Sequence, residues 1–126
     1  MKSYTGIEQS KKLAEFLSLE SADLWWAERY EGRVVNWEYI VEEKPVYYLS
    51  FTKPSEDNWS QDTIKDIPCW SLAALLDVIP SGKALIHDKG NLGYKCICNN
   101  MDTYFHDNPV DACYEMILKL HEQNLL

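Results

Sequence analysis

Four cysteines and three histidines have the widest chemical reach in this chain, and their spacing decides how much of it is usable. Cys96-Ile97-Cys98, with Cys113, His87, His106 and His121 elsewhere, is the first set to weigh as a metal site. Zinc ribbons place two residues between cysteines so that a tight turn aims both sulfurs inward, whereas Cys-x-Cys in a strand only puts both on one face. The expectation is therefore no metal and no cofactor, with free thiols acting as small core hydrophobes. Cys69 is the better reactive candidate, because it sits just before an expected helix N-terminus, where partial positive charge lowers a thiol pKa. Its surroundings, IPCWS, match no nucleophile signature and supply no base. Glu42 and Glu43 fall in an expected turn, and Asp57, Asp62 and Asp66 in an expected loop, where they are solvated charge. No glycine-rich phosphate loop, Gly-x-Ser-x-Gly elbow or His-Glu-x-x-His helix is present, which weakens an enzymatic reading without removing it.

Aromatic side chains are the other resource: five tryptophans and eight tyrosines in 126 residues. Trp25 and Trp26 fall in an expected short helix, where neighbours point about 100° apart, so both cannot sit in the middle of one buried stripe. Trp26 is thereby a candidate for the surface. Trp59 stands in a polar stretch beside Glu56 and Asp57, and exposed tryptophan ringed by acids is the usual composition of a protein-binding hot spot. The competing expectation is that Trp59 folds back and pins its own loop.

Twenty acidic residues against twelve basic ones give a formal charge of −8, which repels phosphate backbones and argues against nucleic-acid binding. The same charge suits a basic protein partner. The longest strongly apolar run, Leu72 to Leu76, is far too short for a membrane span, and MKSYTGIEQSKKLAEF carries no apolar export segment. With too few cysteines for a disulfide scaffold, the expected location is a reducing cytoplasm.

The elements that would position these residues form one α+β domain over residues 1–126. Thr5 and Glu8 have capping-box spacing ahead of a helix over about residues 6–17, and Ser21 would cap a second over Ala22 to Arg29. Val35, Trp37, Tyr39 and Val41 alternate as one strand, which turns at 42–45 and pairs with a strand over Val46 to Phe51. Residues 52–66 form a long loop. Leu72, Leu75, Leu76 and Ile79 make the apolar stripe of a helix that begins after Ser71 and stops before Pro80. Lys83 to His106 holds three strands, with Cys98 opposite Met101, Cys96 opposite Thr103 and Tyr94 opposite Phe105 on a core face. Asn108 and Pro109 open a final helix whose stripe is Val110, Cys113, Ile117 and Leu120. The architecture expected is an antiparallel sheet of four or five strands packed against the C-terminal helix and the helix after Ser71.

Pro68-Cys69-Trp70-Ser71-Leu72 and Asn108-Pro109-Val110-Asp111-Ala112, separated by a hairpin, resemble a group of small uncharacterised proteins of gut Bacteroides prophages and mobile elements, over about residues 62–124. Both motifs are helix starts, so the resemblance implies a shared scaffold and an accessory role in a mobile element, with no catalytic residue carried across. The leading expectation is a non-enzymatic protein-binding module, immunity-like or inhibitor-like, with Trp26, Glu56, Asp57 and Trp59 as candidate contact residues. The alternatives are a small enzyme using Cys69 and a self-associating structural subunit.

Overall fold

A computed structural model describes residues 1–51, 66–90 and 92–126. In chain order the elements are Ile7–Ala14 (α1), a 3-10 turn at Leu19–Ser21, Leu24–Arg29 (β1), Gly32–Val35 (β2), Glu38–Val41 (β3), Val46–Ser50 (β4), Asp66–Cys69 (β5), Leu72–Val78 (α2), Ala84–Asp88 (β6), Gly93–Cys98 (β7), Met101–Asp102 (β8) and Pro109–Glu122 (α3). The α+β class holds. The eight strands among the described residues form three small antiparallel sheets, β4-β1-β5, β2-β3 and β6-β7-β8, in place of one sheet of four or five.

The C-terminal half folds as its residue types dictate. Asn108 Oδ1 accepts the Asp111 amide proton at 2.9 Å, and Pro109 occupies the first turn of α3, where a missing N–H is harmless. Val110, Cys113, Ile117 and Leu120 then recur on one face and are fully buried against Cys96 and Cys98 of β7 and against Leu75 and Ile79 from α2 and its end. Ser71 caps α2 by accepting from Ala74 N at 3.2 Å. Burying each such Leu, Ile or Met is worth roughly 1.5–3 kcal/mol, so this layer supplies most of the cohesion. Cys98 faces Met101, and Thr103 N–H donates to the Cys96 carbonyl at 3.0 Å. Beyond that point the register slips by one residue, and Tyr94 pairs with His106 instead of Phe105.

The N-terminal half departs further from expectation. Helix α1 ends at Ala14, short of residue 17, and its start is Gly6, whose N–H donates to Gln9 Oε1 at 3.0 Å. Thr5 is spent elsewhere. Its hydroxyl accepts the Trp70 amide proton at 3.1 Å and meets Ser10 Oγ at 2.7 Å, and its own N–H donates to the Trp70 carbonyl at 2.9 Å. Residues 22–29 are not a helix: Leu24–Arg29 is the central strand of a sheet, paired with β4 on one side and β5 on the other. The expected strand over 35–41 is two strands folded back on each other, Val34 facing Tyr39 and Val35 facing Glu38 around Asn36-Trp37. β4 accordingly pairs with β1, Arg29 facing Val46, and not with residues 35–41. Asp66, expected to close a loop, opens an edge strand, Asp66–Cys69, where Pro68 is tolerated because it needs no outward donor.

Together β1 with β2 and β3 with β4 make one long ribbon, rooted in the domain by β5 and free at its tip. The two ladders are out of phase. Arg29 pairs with Val46 and the Glu42 amide donates to the Glu31 carbonyl at 2.8 Å, so Tyr30 alone spans the gap that Glu43, Lys44 and Pro45 fill on the other strand. Such an offset bends a ribbon and increases its twist.

Gly93 has a φ of 93°, and a Cβ there would run into the His106 carbonyl, which accepts the Tyr94 amide proton at 2.7 Å. Gly93→Ala is expected to cost about 2 kcal/mol or more. Urea denaturation would show it as an earlier midpoint at an unchanged slope.

Candidate functional site

The tip of the ribbon holds the most exposed tryptophan of the described residues. Trp37 is 98% exposed at the apex of the β2–β3 hairpin. Asn36 and Trp37 both have positive φ, 51° and 68°, the backbone of a two-residue turn that favours Asn followed by Gly. The β7–β8 hairpin turns the same way on Asn99 and Asn100, with φ of 52° and 61°. Asparagine tolerates the left-handed region, whereas tryptophan there costs about 1–2 kcal/mol. Trp37 thus sits at a sterically unfavourable position and gains no burial in return.

Register sorts the side chains behind it. Gly32, Val34, Tyr39 and Val41 share one face, and Glu31, Arg33, Val35, Glu38, Ile40 and Glu42 share the other. The first face is wholly uncharged, yet Val34 is 68% and Tyr39 70% exposed, and the Tyr39 ring lies across Gly32, where any Cβ would meet it. Aromatic cover over a strand glycine of this kind fixes the ring without burying it. On the second face Arg33 Nε pairs with Glu42 at 3.1 Å. At the root, the Tyr48 hydroxyl donates to Glu31.

The residues singled out from the sequence lie elsewhere. Trp26 is half-buried at the root of the ribbon, its Nε1–H donating to the Thr5 carbonyl at 3.1 Å and its ring meeting Tyr4 edge-on at 5.6 Å. Glu56, Asp57 and Trp59 lie outside the described residues. Trp37 was missed because it continues an apolar alternation; the signal that could have found it is Asn36, placed midway between two strand-forming runs of equal length.

Cys69 is completely buried in β5, with its Sγ–H donating to the Thr5 carbonyl at 3.4 Å. Burial pushes its thiol up, against hydrogen bonds from Thr5 and Ser10 that pull it down. No histidine is hydrogen-bonded to it among the described residues. His87 stacks on Tyr94 at 4.1 Å, His121 on Phe16 at 3.9 Å, and His106 Nε2 meets Glu115 Oε1 at 2.8 Å. In the helical core Cys113 faces Cys96, and that contact, with burial added, drives the Cys113 thiol far above its usual range. The same contact lowers Cys96 against the opposing effect of burial. Among the described residues no three His, Cys, Asp or Glu side chains gather where a metal ion could be held, and no helix is long and apolar enough to cross a membrane. An open groove lined by Leu19, Glu20, Ala22, Asp23, Trp25 and Phe51 carries two carboxylates and no candidate base or nucleophile pair, and Asp23 already holds the Ser71 hydroxyl and amide. No known protein family, curated protein or solved structure matches the chain.

Trp37→Gly is expected to leave stability unchanged or raise it by about 1 kcal/mol, since glycine relieves the left-handed turn; the variant should also show less iodide-quenchable tryptophan fluorescence than the wild type. All four thiols should resist iodoacetamide in the native protein at neutral pH and react in denaturant, and rapid native alkylation of Cys69 would favour the enzymatic alternative. For Cys69 the folded pKa lies above the unfolded value. Its contribution is therefore complete below about pH 8.5 and is withdrawn as pH rises, because the unfolded chain releases a proton that the folded chain keeps.

Proposed function

We propose that this protein acts by binding another protein, and that the β2–β3 arm is the surface it uses. The observation that carries this reading is Trp37, fully exposed at a turn position where glycine would be more stable. Protein-binding energy concentrates in a few aromatic anchors of this kind, and the uncharged face behind Trp37 is suited to lie in an apolar cleft. Arm and root, residues 31–44, hold Glu31, Glu38, Glu42 and Glu43 against Arg33 and Lys44, so the arm shares the acidic balance of the whole chain. A basic partner is favoured, bound faster at low salt. The mechanism is occlusion or adaptation, as in an immunity or inhibitor protein, and an accessory role in a mobile element is one setting for it.

The test is a tagged pull-down of the full chain from native lysate, washed at low and at high salt, with Trp37→Ala alongside. A stoichiometric partner is expected with the wild type, and Trp37→Ala should weaken it by about 2 kcal/mol, or roughly 30-fold, at an unchanged melting temperature. Trp59→Ala run in parallel tests the contact surface inferred from the sequence around Glu56 and Asp57. A partner retained in full by Trp37→Ala, or none at all, would remove the arm from consideration.

A further inference from the structure

We propose that the outer edge of β3 accepts, as an added strand, an extended segment of a basic protein in which apolar and basic side chains alternate; this rests on the arm being the contact surface and specifies what docks there. The two-residue turn makes Val35 and Glu38 a hydrogen-bonded pair, so the bonded pairs continue at Arg33 with Ile40 and Glu31 with Glu42. The Glu42 amide, donating to the Glu31 carbonyl at 2.8 Å, keeps that phase. The N–H and C=O groups of Tyr39 and Val41 therefore point away from β2, toward an edge that no described strand pairs with. Soluble proteins commonly protect such edges with lysine, proline or a bulge. Glu38-Tyr39-Ile40-Val41 contains none of these; its protection is its four-residue length and the one charge of Glu38, and lysine and proline come only at Lys44-Pro45, beyond the strand.

The faces of the arm set the chemistry of the occupant. A strand laid beside β3 sends alternate side chains to the two faces. On one it meets Tyr39 and Val41, uncharged and exposed; on the other, Glu38 and Glu42 flanking Ile40. Apolar side chains suit the first, and lysine or arginine the second, where opposite charges across neighbouring strands stabilise and like charges destabilise. Glu38 has no ion partner within the described residues, and Glu42 has Arg33. A second copy of this chain would set glutamate against glutamate and bring its own −8, so charge selects a different, basic segment.

The experiment is a titration of isotope-labelled full-length protein with three short synthetic peptides, followed by amide chemical shifts. One peptide alternates lysine with valine, the second holds the same residues in two blocks, and the third alternates glutamate with valine. Saturable shifts at Tyr39 and Val41 are expected with the first, and affinity about fivefold or more weaker for the other two. Val41→Pro removes an outward N–H without touching the ladder and should abolish the preference. Glu38→Lys should move it toward the glutamate peptide, a readout independent of whether the proline variant folds. Equal binding of alternating and block peptides, shifts spread over the whole acidic surface, or an unchanged preference in Glu38→Lys would overturn the proposal. So would line broadening that grows with protein concentration before peptide is added, which would give the edge to a second copy. Trp37 makes no part of the edge, so failure with peptides leaves the pull-down result standing, whereas a pull-down that removes the arm takes this inference with it.

Discussion

Thr5 is the point where the halves of this protein are joined. It is fully buried, and every polar atom it has is engaged: amide and hydroxyl with Trp70, hydroxyl with Ser10, and carbonyl with the Trp26 indole and the Cys69 thiol. Around it, Tyr4 bridges to Ser71 and Leu72 N–H donates to the Ser3 carbonyl, so the N-terminal segment runs antiparallel to the exit of β5. Trp70, also fully buried, then sends its indole N–H to Ser21 Oγ at 2.9 Å. A buried polar cluster of this density holds only if every member is satisfied, and none of the described buried side-chain polar atoms lacks a partner. Lys2 adds an outer tie to Asp111 at 2.9 Å. Burial alone would raise that carboxyl, but the hydrogen bonds from Lys2, Gln9 and Asn108 outweigh it and hold it low.

What this joint permits is an arm that needs no core of its own. A two-stranded ribbon is marginal in water. Here its root is the centre of a three-stranded sheet, pinned through Trp26 to Thr5 and through the Arg29–Asp66 pair at 2.8 Å to β5. The apolar residues at the tip are therefore relieved of a structural duty, and their exposure is available for contact with something else.

The parts of the fold legible in the sequence are those where local signals and packing agree. Asn108-Pro109, Ser71 and the Val110–Leu120 stripe each state a cap or a face that the core then uses. β1 was hidden because its buried positions show no strict alternation: Leu24 and Trp25 are both covered, as are Ala27 and Glu28. Without a period of two, Ala27, Glu28 and Arg29 look helical, and pairing with β4, joined at Ala27 by pairing with β5, overrides that propensity. The β2–β3 turn was hidden for the opposite reason, since Val35, Trp37, Tyr39 and Val41 keep a period of two straight through it. The site shared that fate, because a tryptophan mistaken for a strand residue is expected to be packed.

The mismatch between the two ladders of the ribbon has one more consequence. Glu43, Lys44 and Pro45 belong to neither ladder, and they stand opposite the single residue Tyr30. The direction in which the arm points is therefore set by a few residues outside both the core and the uncharged face of the hairpin. Insertions or losses there would re-aim Trp37 while the anchoring sheet and the hairpin kept their registers. The aim of the arm and the stability of the domain are thus written in separate stretches of the chain, and a change in the first need not disturb the second.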